Sequence, residues 1–318
     1  MFKTVKNKKL KNNILKKKNK TLKRDKNLNG HLKYDMNNYN IDNDLLILVG
    51  DKYVDYKNEQ LQRYFLKKIS QFNKINIQNI KIPRQHKKNC WFNVWLMSYY
   101  ISDNGRKLYT YVRQFMVNGH LNGLSQTDSK LLFLLNMYIE SIFGGIHIVD
   151  RNTNYLIKLF NRYLPKSPHI YGVGVKGNPS RYQQILLNYI DIKNDNIINI
   201  YNHDIYLYKN IECIDKQMFQ VEIKKKYMYV KNKKTIIFDD KNNNYKLDSC
   251  IIKDINGSHF GCFLTINNNE YLYDGNNDKL IKINWKHLIN EDKNINVKGN
   301  KYTWNFMKGY QILLYYKC

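Results

Sequence analysis

Apolar and polar positions change rhythm about two thirds of the way along this 318-residue chain. Residues 43–70 predict a short strand (LLILVG) and then a helix (EQLQRYFLKKI), and 71–89 are polar and loop-like. From Trp91 to Ile101 nearly every residue is apolar (WFNVWLMSYYI), the pattern of a helix buried on all sides. Asp103, Asn104 and Gly105 punctuate that run. Amphipathic helices are predicted at about 106–117 and at 127–142, the second opened by Thr127-Asp128. Residues 163–179 hold three of the four prolines and predict a loop leading into a helix (SRYQQILLNYI) capped by Ser180. From about 196, short β-rich runs alternate with Asn/Lys/Asp turns: IINIY, IYLYK, FQVEI, KYMYV, TIIFD, YKLDSCIIKD, HFGCFLTI, EYLYD and YQILLYY. Helices first and antiparallel strands later predict an α+β protein with segregated elements.

Composition narrows the class. Hydrophobic residues make up 43% and aromatics 14%, too many for a disordered chain. Four Pro and 15 Gly exclude a collagen-like or linker-like architecture. Twenty-seven Tyr, with frequent Asn, Lys and Ile, suggest an AT-rich genome. The formal charge is +27, and residues 1–34 carry 13 Lys/Arg against one Asp. That block has few apolar anchors and predicts a disordered basic tail, able to make weak contact with nucleic acid or an anionic surface. The rest, 35–318, reads as a single domain, helical at about 85–195 and β-rich at about 196–318. Five cysteines without a Cys-x-x-Cys pair support neither a disulfide scaffold nor a zinc ribbon, so a reducing intracellular compartment is expected. No apolar segment follows the basic N-terminus, as a signal peptide requires. The most apolar stretch, 131–149, is interrupted by Asn136, Glu140 and His147. It predicts a buried helix running into a strand, and no transmembrane segment. His120, His147, His169, His203 and His287 show no ligand spacing, so neither metal nor cofactor is expected.

Two motifs bear on chemistry. Gly172-Val-Gly174-Val-Lys-Gly177 matches G-x-G-x-x-G in letters, but it lacks the preceding strand and the acidic residue about 20 positions on that a dinucleotide site needs. Cys90 directly precedes the buried helix. There the helix dipole favours a thiolate, and free N–H groups can receive an oxyanion. A cysteine nucleophile needs a base. His259 stands at the start of strand HFGCFLTI, behind the small residues Gly257 and Ser258. The turn Asn267-Asn268-Asn269 leads into EYLYD, which ends at Asp274. Folded as a hairpin, this brings Asp274 within a couple of residues of His259, where a carboxylate can fix the imidazole tautomer.

These residues resemble the ubiquitin-specific peptidases. Lys88-Asn89-Cys90-Trp91-Phe92-Asn93 is similar to that family's Cys box, in which Cys is followed by an aromatic, a variable residue and Asn. Tyr245-Lys246-Leu247, Ile251-Ile252, Gly257-Ser258-His259-Phe260 and Tyr271-Leu272-Tyr273-Asp274 are similar to its His box. The last strand, from Gly309-Tyr310 to Tyr315-Tyr316, resembles the family's closing strand, and the Gln183-Gln184 helix loosely resembles one between the boxes. Divergent versions of such a domain occur in large DNA viruses. The departures are Lys-Asn-Cys for the usual Asn-Thr-Cys, Ser258 for the usual Gly, and no Cys-x-x-Cys fingers.

The resemblance implies a papain-like cysteine peptidase fold, with a helical thumb and a β palm, and, for a viral source, a place in the host cytoplasm or the virion. It implies a thiol isopeptidase in which Cys90 attacks, His259 moves protons and Asp274 orients His259. The family's oxyanion side chain lies five residues before Cys, at Gln85 here, with Asn89 as the fallback. Conjugates of ubiquitin or a ubiquitin-like protein are the implied partners. Two other readings stay open: a viral cysteine peptidase processing structural precursor proteins, and a catalytically dead, basic, nucleic-acid-associated packaging protein.

Overall fold

The apolar run at 91–101 forms the hinge of the architecture, because every residue from Cys90 to Ile101 is buried. The computed structural model describes residues 32–34, 45–71, 75–118, 125–148, 152–190, 197–201, 217–224, 233–238, 243–297 and 301–317. Among them, β1 (Leu32–Tyr34), β2 (Leu46–Val49) and β3 (Lys52–Asp55) form one small sheet with β4 (His147–Ile148). Leu32 and Tyr34 are buried in it, so the fold begins three residues inside the expected 1–34 tail, while 1–31 lie outside the described residues.

Helix α1 (Glu59–Ser70) buries Leu61, Phe65 and Ile69 at four-residue spacing, and the Asn58 side chain caps it. Helix α2 (Cys90–Leu96) runs on as a π-type segment, Met97–Ile101. Then come α3 (Asp103–Leu108), α4 (Thr110–Asn118), α5 (Gln126–Ile142), α6 (Asn154–Tyr163) and α7 (Pro179–Tyr189). Three local expectations change. Asp103-Asn104-Gly105 opens a helix, with the Asp103 carboxylate held by Arg106 at 2.9 Å. The cap of α5 is Ser125, in a reciprocal capping box with Asp128. The cap of α7 is Asn178, whose side chain accepts from Ser180 N, with Pro179 at the first helical position.

The second half is an eight-stranded sheet. It contains β5 (Ile197–Tyr201), β6 (Met218–Ile223), β7 (Thr235–Phe238), β8 (Asn243–Lys253), β9 (Phe260–Ile266), β10 (Asn269–Tyr273) and β11 (Ile281–Lys282). A short helix α8 (Trp285–Leu288) and the pair β12 (Ile295–Asn296) and β13 (Thr303–Trp304) precede the last strand, β14 (Gln311–Lys317). The order is β11-β10-β9-β8-β14-β6-β5, with β7 beside β8. All pairs are antiparallel except β5–β6, which the alternation of strands and turns did not reveal. The runs IYLYK and KYMYV lie outside the described residues.

Side chains of a strand alternate between faces, and here both faces are covered. On β14, Ile312, Leu314 and Tyr316 join the core shared with the helices, while Leu313 and Tyr315 join a second core under Trp285, Trp304 and Phe306. Helix and sheet halves are also tied by polar contacts. The Tyr99 hydroxyl donates to Gln220 Oε1. The β9–β10 turn has Asn267 and Asn268 both left-handed, and their N–H groups donate to the Asp103 carboxylate at 2.8 and 2.9 Å. Among the described residues, no helix is long and apolar enough to cross a membrane.

Candidate active site

The loop before α2 is held by amide side chains. Asn89 Oδ1 accepts from His86 N at 2.7 Å, and Asn89 Nδ2 donates to Thr153 Oγ1 at 2.8 Å. The Thr153 hydroxyl donates to Asn93 Oδ1 at 2.6 Å, and Asn93 Nδ2 donates to the Arg84 carbonyl at 3.1 Å. Lys87 and Lys88 adopt left-handed backbone conformations, with φ of +43° and +62°. For non-glycine residues that is costly backbone, and such positions cluster at functional sites. This scaffold delivers Cys90, a free thiol 8% exposed, as the first residue of α2. Behind it the Trp91 indole donates to the Val175 carbonyl at 3.1 Å. Gly177 lies so close to that indole that a Cβ would sit 2.4 Å from the ring. The last glycine of the G-x-G-x-x-G stretch thus packs on the helix that carries Cys90.

His259 follows a turn built on one carboxylate. Asp254 accepts from Ser258 N and His259 N, both at 2.7 Å, from Asn256 N at 3.3 Å, and from the Ser258 hydroxyl at 3.2 Å. Asp254 N donates in turn to the His259 carbonyl at 2.9 Å. Strands β9 and β10 pair with Tyr273 opposite Cys262, so Asp274 leaves β10 two residues out of register with His259. His259 Nε2 donates to Asp274 Oδ1 at 2.7 Å, and both side chains are almost wholly buried. That bond fixes the tautomer and leaves Nδ1 to accept. Nδ1 is buried with no hydrogen-bond partner of good geometry, and the Cys90 thiol lies near enough to influence the imidazole's charge. Burial alone pulls the imidazole down. The hydrogen bond to Asp274 and the charges of Asp274 and Cys90 outweigh burial and push the His259 pKa up to about 9.

Cys90, His259 and Asp274 therefore meet where helices and sheet adjoin. The two amide candidates differ. Gln85 sits across from Asp274's neighbour, its N–H donating to the Gly275 carbonyl at 2.8 Å, and its Oε1 is buried with no partner. A Cβ on Gly275 would lie 3.2 Å from Gln85 N and Cβ, so glycine permits this approach. Asn89 has its amide in the loop scaffold, donating to Thr153.

Three further residues touch the imidazole or its supports. Asn276 Nδ2 donates to Asp274 Oδ1 at 3.1 Å and lies 3.4 Å from His259 Nε2. The Tyr302 ring stacks on the imidazole, with centroids 3.9 Å apart and 17° between planes. Asp254 shapes the turn. The Asp-x-Asn spacing of Asp274 and Asn276 is a local signal for a side chain folding back on its own turn. Tyr302 arrives from a distant hairpin and has no such signal.

No protein-family model matches this sequence, and no curated protein does. Among solved structures, the SAGA DUB module of Ubp8, Sgf11, Sus1 and Sgf73 bound to monoubiquitin is similar at 10% identity and a TM-score of 0.49, covering 86% of this chain and 79% of that one. The Ubp8-Sgf11-Sgf73-Sus1 module is similar at 9% identity and a TM-score of 0.48, covering 86% and 78%. The same module bound to ubiquitin aldehyde gives 10% identity and a TM-score of 0.46, covering 86% and 79%.

Proposed function

We propose that this protein is a thiol-dependent isopeptidase of the papain-like kind, acting on conjugates of ubiquitin or a ubiquitin-like modifier. One observation carries the reading: a buried imidazole whose Nε2 is held by Asp274 and whose Nδ1 has Cys90 as its neighbour. The modifier class comes from the resemblance of the Cys and His boxes.

The chemistry follows from that arrangement. Cys90 Sγ forms a bond to the scissile carbonyl carbon as its proton passes to His259 Nδ1. The carbonyl π pair moves onto oxygen, and the Cys90 N–H with the Gln85 amide stabilises that oxyanion. Collapse breaks the C–N bond, and the imidazolium gives its proton to the leaving lysine amine. Water then attacks the thioester, His259 takes its proton, and the thiol is restored as the acid leaves. Asp274 stays ionised throughout and stabilises the imidazolium.

The test is release of a fluorophore from a ubiquitin C-terminal reporter, together with labelling by a ubiquitin probe bearing a C-terminal electrophile. Wild-type protein is expected to release and to be labelled, and Cys90→Ala to do neither. An adduct that persists in Cys90→Ala refutes the nucleophile, and a wild-type protein inert to both refutes the modifier class.

A further inference from the structure

The segment that leads into the Cys90 loop is pinned residue by residue. Residues 83–85 lie beside the end of β10, and three consecutive main-chain groups on them are engaged. The Pro83 carbonyl accepts from the Tyr273 hydroxyl at 2.7 Å. The Arg84 carbonyl accepts from Asn93 Nδ2 at 3.1 Å. The Gln85 N–H donates to the Gly275 carbonyl at 2.8 Å. Two of these bonds reach the end of β10 and bracket Asp274, the residue between Tyr273 and Gly275. The other reaches Asn93 on α2, three residues after Cys90. Tyr273 is wholly buried, and burial pushes its phenol well above the ordinary tyrosine pKa, so the hydroxyl stays a donor at working pH. The fit is close: a Cβ on Gly275 would lie 3.1 Å from the Tyr273 hydroxyl oxygen and 3.2 Å from Gln85 N. Arg84 and Asp278 span the same two segments from outside at 2.5 Å, and so exposed a pair adds little.

We infer that Tyr273 is a positioning residue for the oxyanion donor: its hydroxyl holds residues 83–85 so that the end of β10 places the Gln85 amide and the His259–Asp274 pair as one unit. The inference rests on the isopeptidase reading and adds a residue to it. An oxyanion donor helps only if it already stands at the right distance when the carbonyl oxygen gains charge. Gln85 has a long side chain, and its amide is placed no better than the main chain it grows from. The Tyr273 ring is a stiff tether locked in the core, and its hydroxyl fixes that main chain two residues upstream. Without the hydroxyl the Pro83 carbonyl loses its donor and 83–85 can shift. Asp274, His259 and Cys90 keep their own contacts. The loss should therefore fall on addition to a carbonyl and spare the thiol itself.

The experiment uses the full chain and two reactions of Cys90. Release of a fluorophore from a ubiquitin C-terminal reporter passes through an oxyanion. Alkylation by iodoacetamide, read from the mass of the Cys90 peptide, does not: the sulfur–carbon bond forms as iodide leaves, and the thiol proton goes to the imidazole or to water. Tyr273→Phe removes the hydroxyl and keeps the ring. It is expected to lower kcat by about tenfold with KM nearly unchanged. Alkylation should stay within about twofold of wild type. In a Gln85→Ala background, which lacks the donor, adding Tyr273→Phe should cost no more than about twofold, because its effect runs through Gln85. Gly275→Ala crowds the same contact and should show the same selective loss, which decides the matter even where Tyr273→Phe folds poorly. A Tyr273→Phe variant with wild-type kcat and only a lower Tm overturns the assignment, because the hydroxyl is then merely structural. Hydrolysis and alkylation falling together also overturn it, since the effect then lies on the thiol or its base. So does a full tenfold penalty in the Gln85→Ala background. Those results leave the isopeptidase reading standing. A wild-type protein that is alkylated at Cys90 yet releases no fluorophore removes that reading and this inference with it.

Discussion

The imidazole of His259 lies face to face with the Tyr302 ring, 3.9 Å between centroids, on the same side chain that Asp274 grips by its edge. Edge and face contacts together leave the imidazole one orientation. Lys301 Nζ lies 5.2 Å from the Tyr302 ring, and Trp304 closes behind at 6.4 Å from the imidazole. Tyr302, just before β13, and Trp304, within it, thus flank the histidine ring. Removing the ring in Tyr302→Ala should lower kcat by about tenfold, the scale of a lost positioning contact near a reacting group. KM should move little. Tyr302→Phe should restore most of the rate, because the stacked face is kept. A Phe variant as slow as Ala would show that stacking is not what matters.

The raised pKa of His259 carries a pH signature. Its folded value of about 9 lies above the ordinary 6.5, so the charged form is favoured by folding. That contribution is fully present below about pH 6.5 and is lost as pH rises through 9. Thermal unfolding between pH 6.5 and 9.5 should therefore show Tm falling with pH. In Asp274→Asn, which removes the larger charge partner, the fall should be smaller and should end at lower pH. Parallel Tm curves for wild type and variant would contradict this linkage.

Asp254 offers a different separation of effects. Its carboxylate gathers the N–H groups of Asn256, Ser258 and His259 and sets where the imidazole starts. Asp254→Ala leaves the buried His259 N–H short of an acceptor, at about 1–3 kcal/mol in stability, and frees the part-buried N–H groups of Asn256 and Ser258. The displaced backbone should also cut kcat well below what the Tm loss accounts for. Asp254→Asn keeps an acceptor oxygen and should recover part of both. Denaturant unfolding run beside steady-state kinetics reads the two effects apart.

Local signals explain what the sequence made legible. The buried run after Cys90, the Asn-rich turn before β10 and the aliphatic alternation of β14 each belong to one element, and period alone reports them. The hairpin offset between His259 and Asp274 follows from turn length. Other features depend on segments meeting from afar. The pairing of β1 with β4 joins residues more than a hundred apart, and β5 runs parallel to β6 across an intervening stretch. Neither leaves a mark in either strand. Tyr302 reads as one more Tyr among 27, and only the path of its hairpin brings it over His259. Asn89 and Asn93 illustrate the converse: amides are so common in this chain that composition hides which of them build the loop.

Gln85 and Asn89 can be told apart by which quantity each variant changes. Asn89 is 1% exposed, accepts from His86 N and donates to Thr153, so its work is to hold the loop. Asn89→Ala removes one buried and one part-buried hydrogen bond and should cost about 1–3 kcal/mol in unfolding free energy. Its residual kcat, measured where the variant is fully folded, should be affected less. Gln85 is tied to the fold mainly through its main chain, at Gly275, and its side-chain oxygen has no partner. Gln85→Ala should therefore change Tm little. If its amide donates to the oxyanion, kcat should fall by roughly two to three decades with KM nearly unchanged, the cost of one such donor. Gln85→Glu, which cannot donate when ionised, should be as slow as Ala. A Gln85→Ala variant with wild-type kcat, beside a folded Asn89→Ala variant that has lost it, would move the oxyanion donor to Asn89 and require the loop to rearrange on binding substrate.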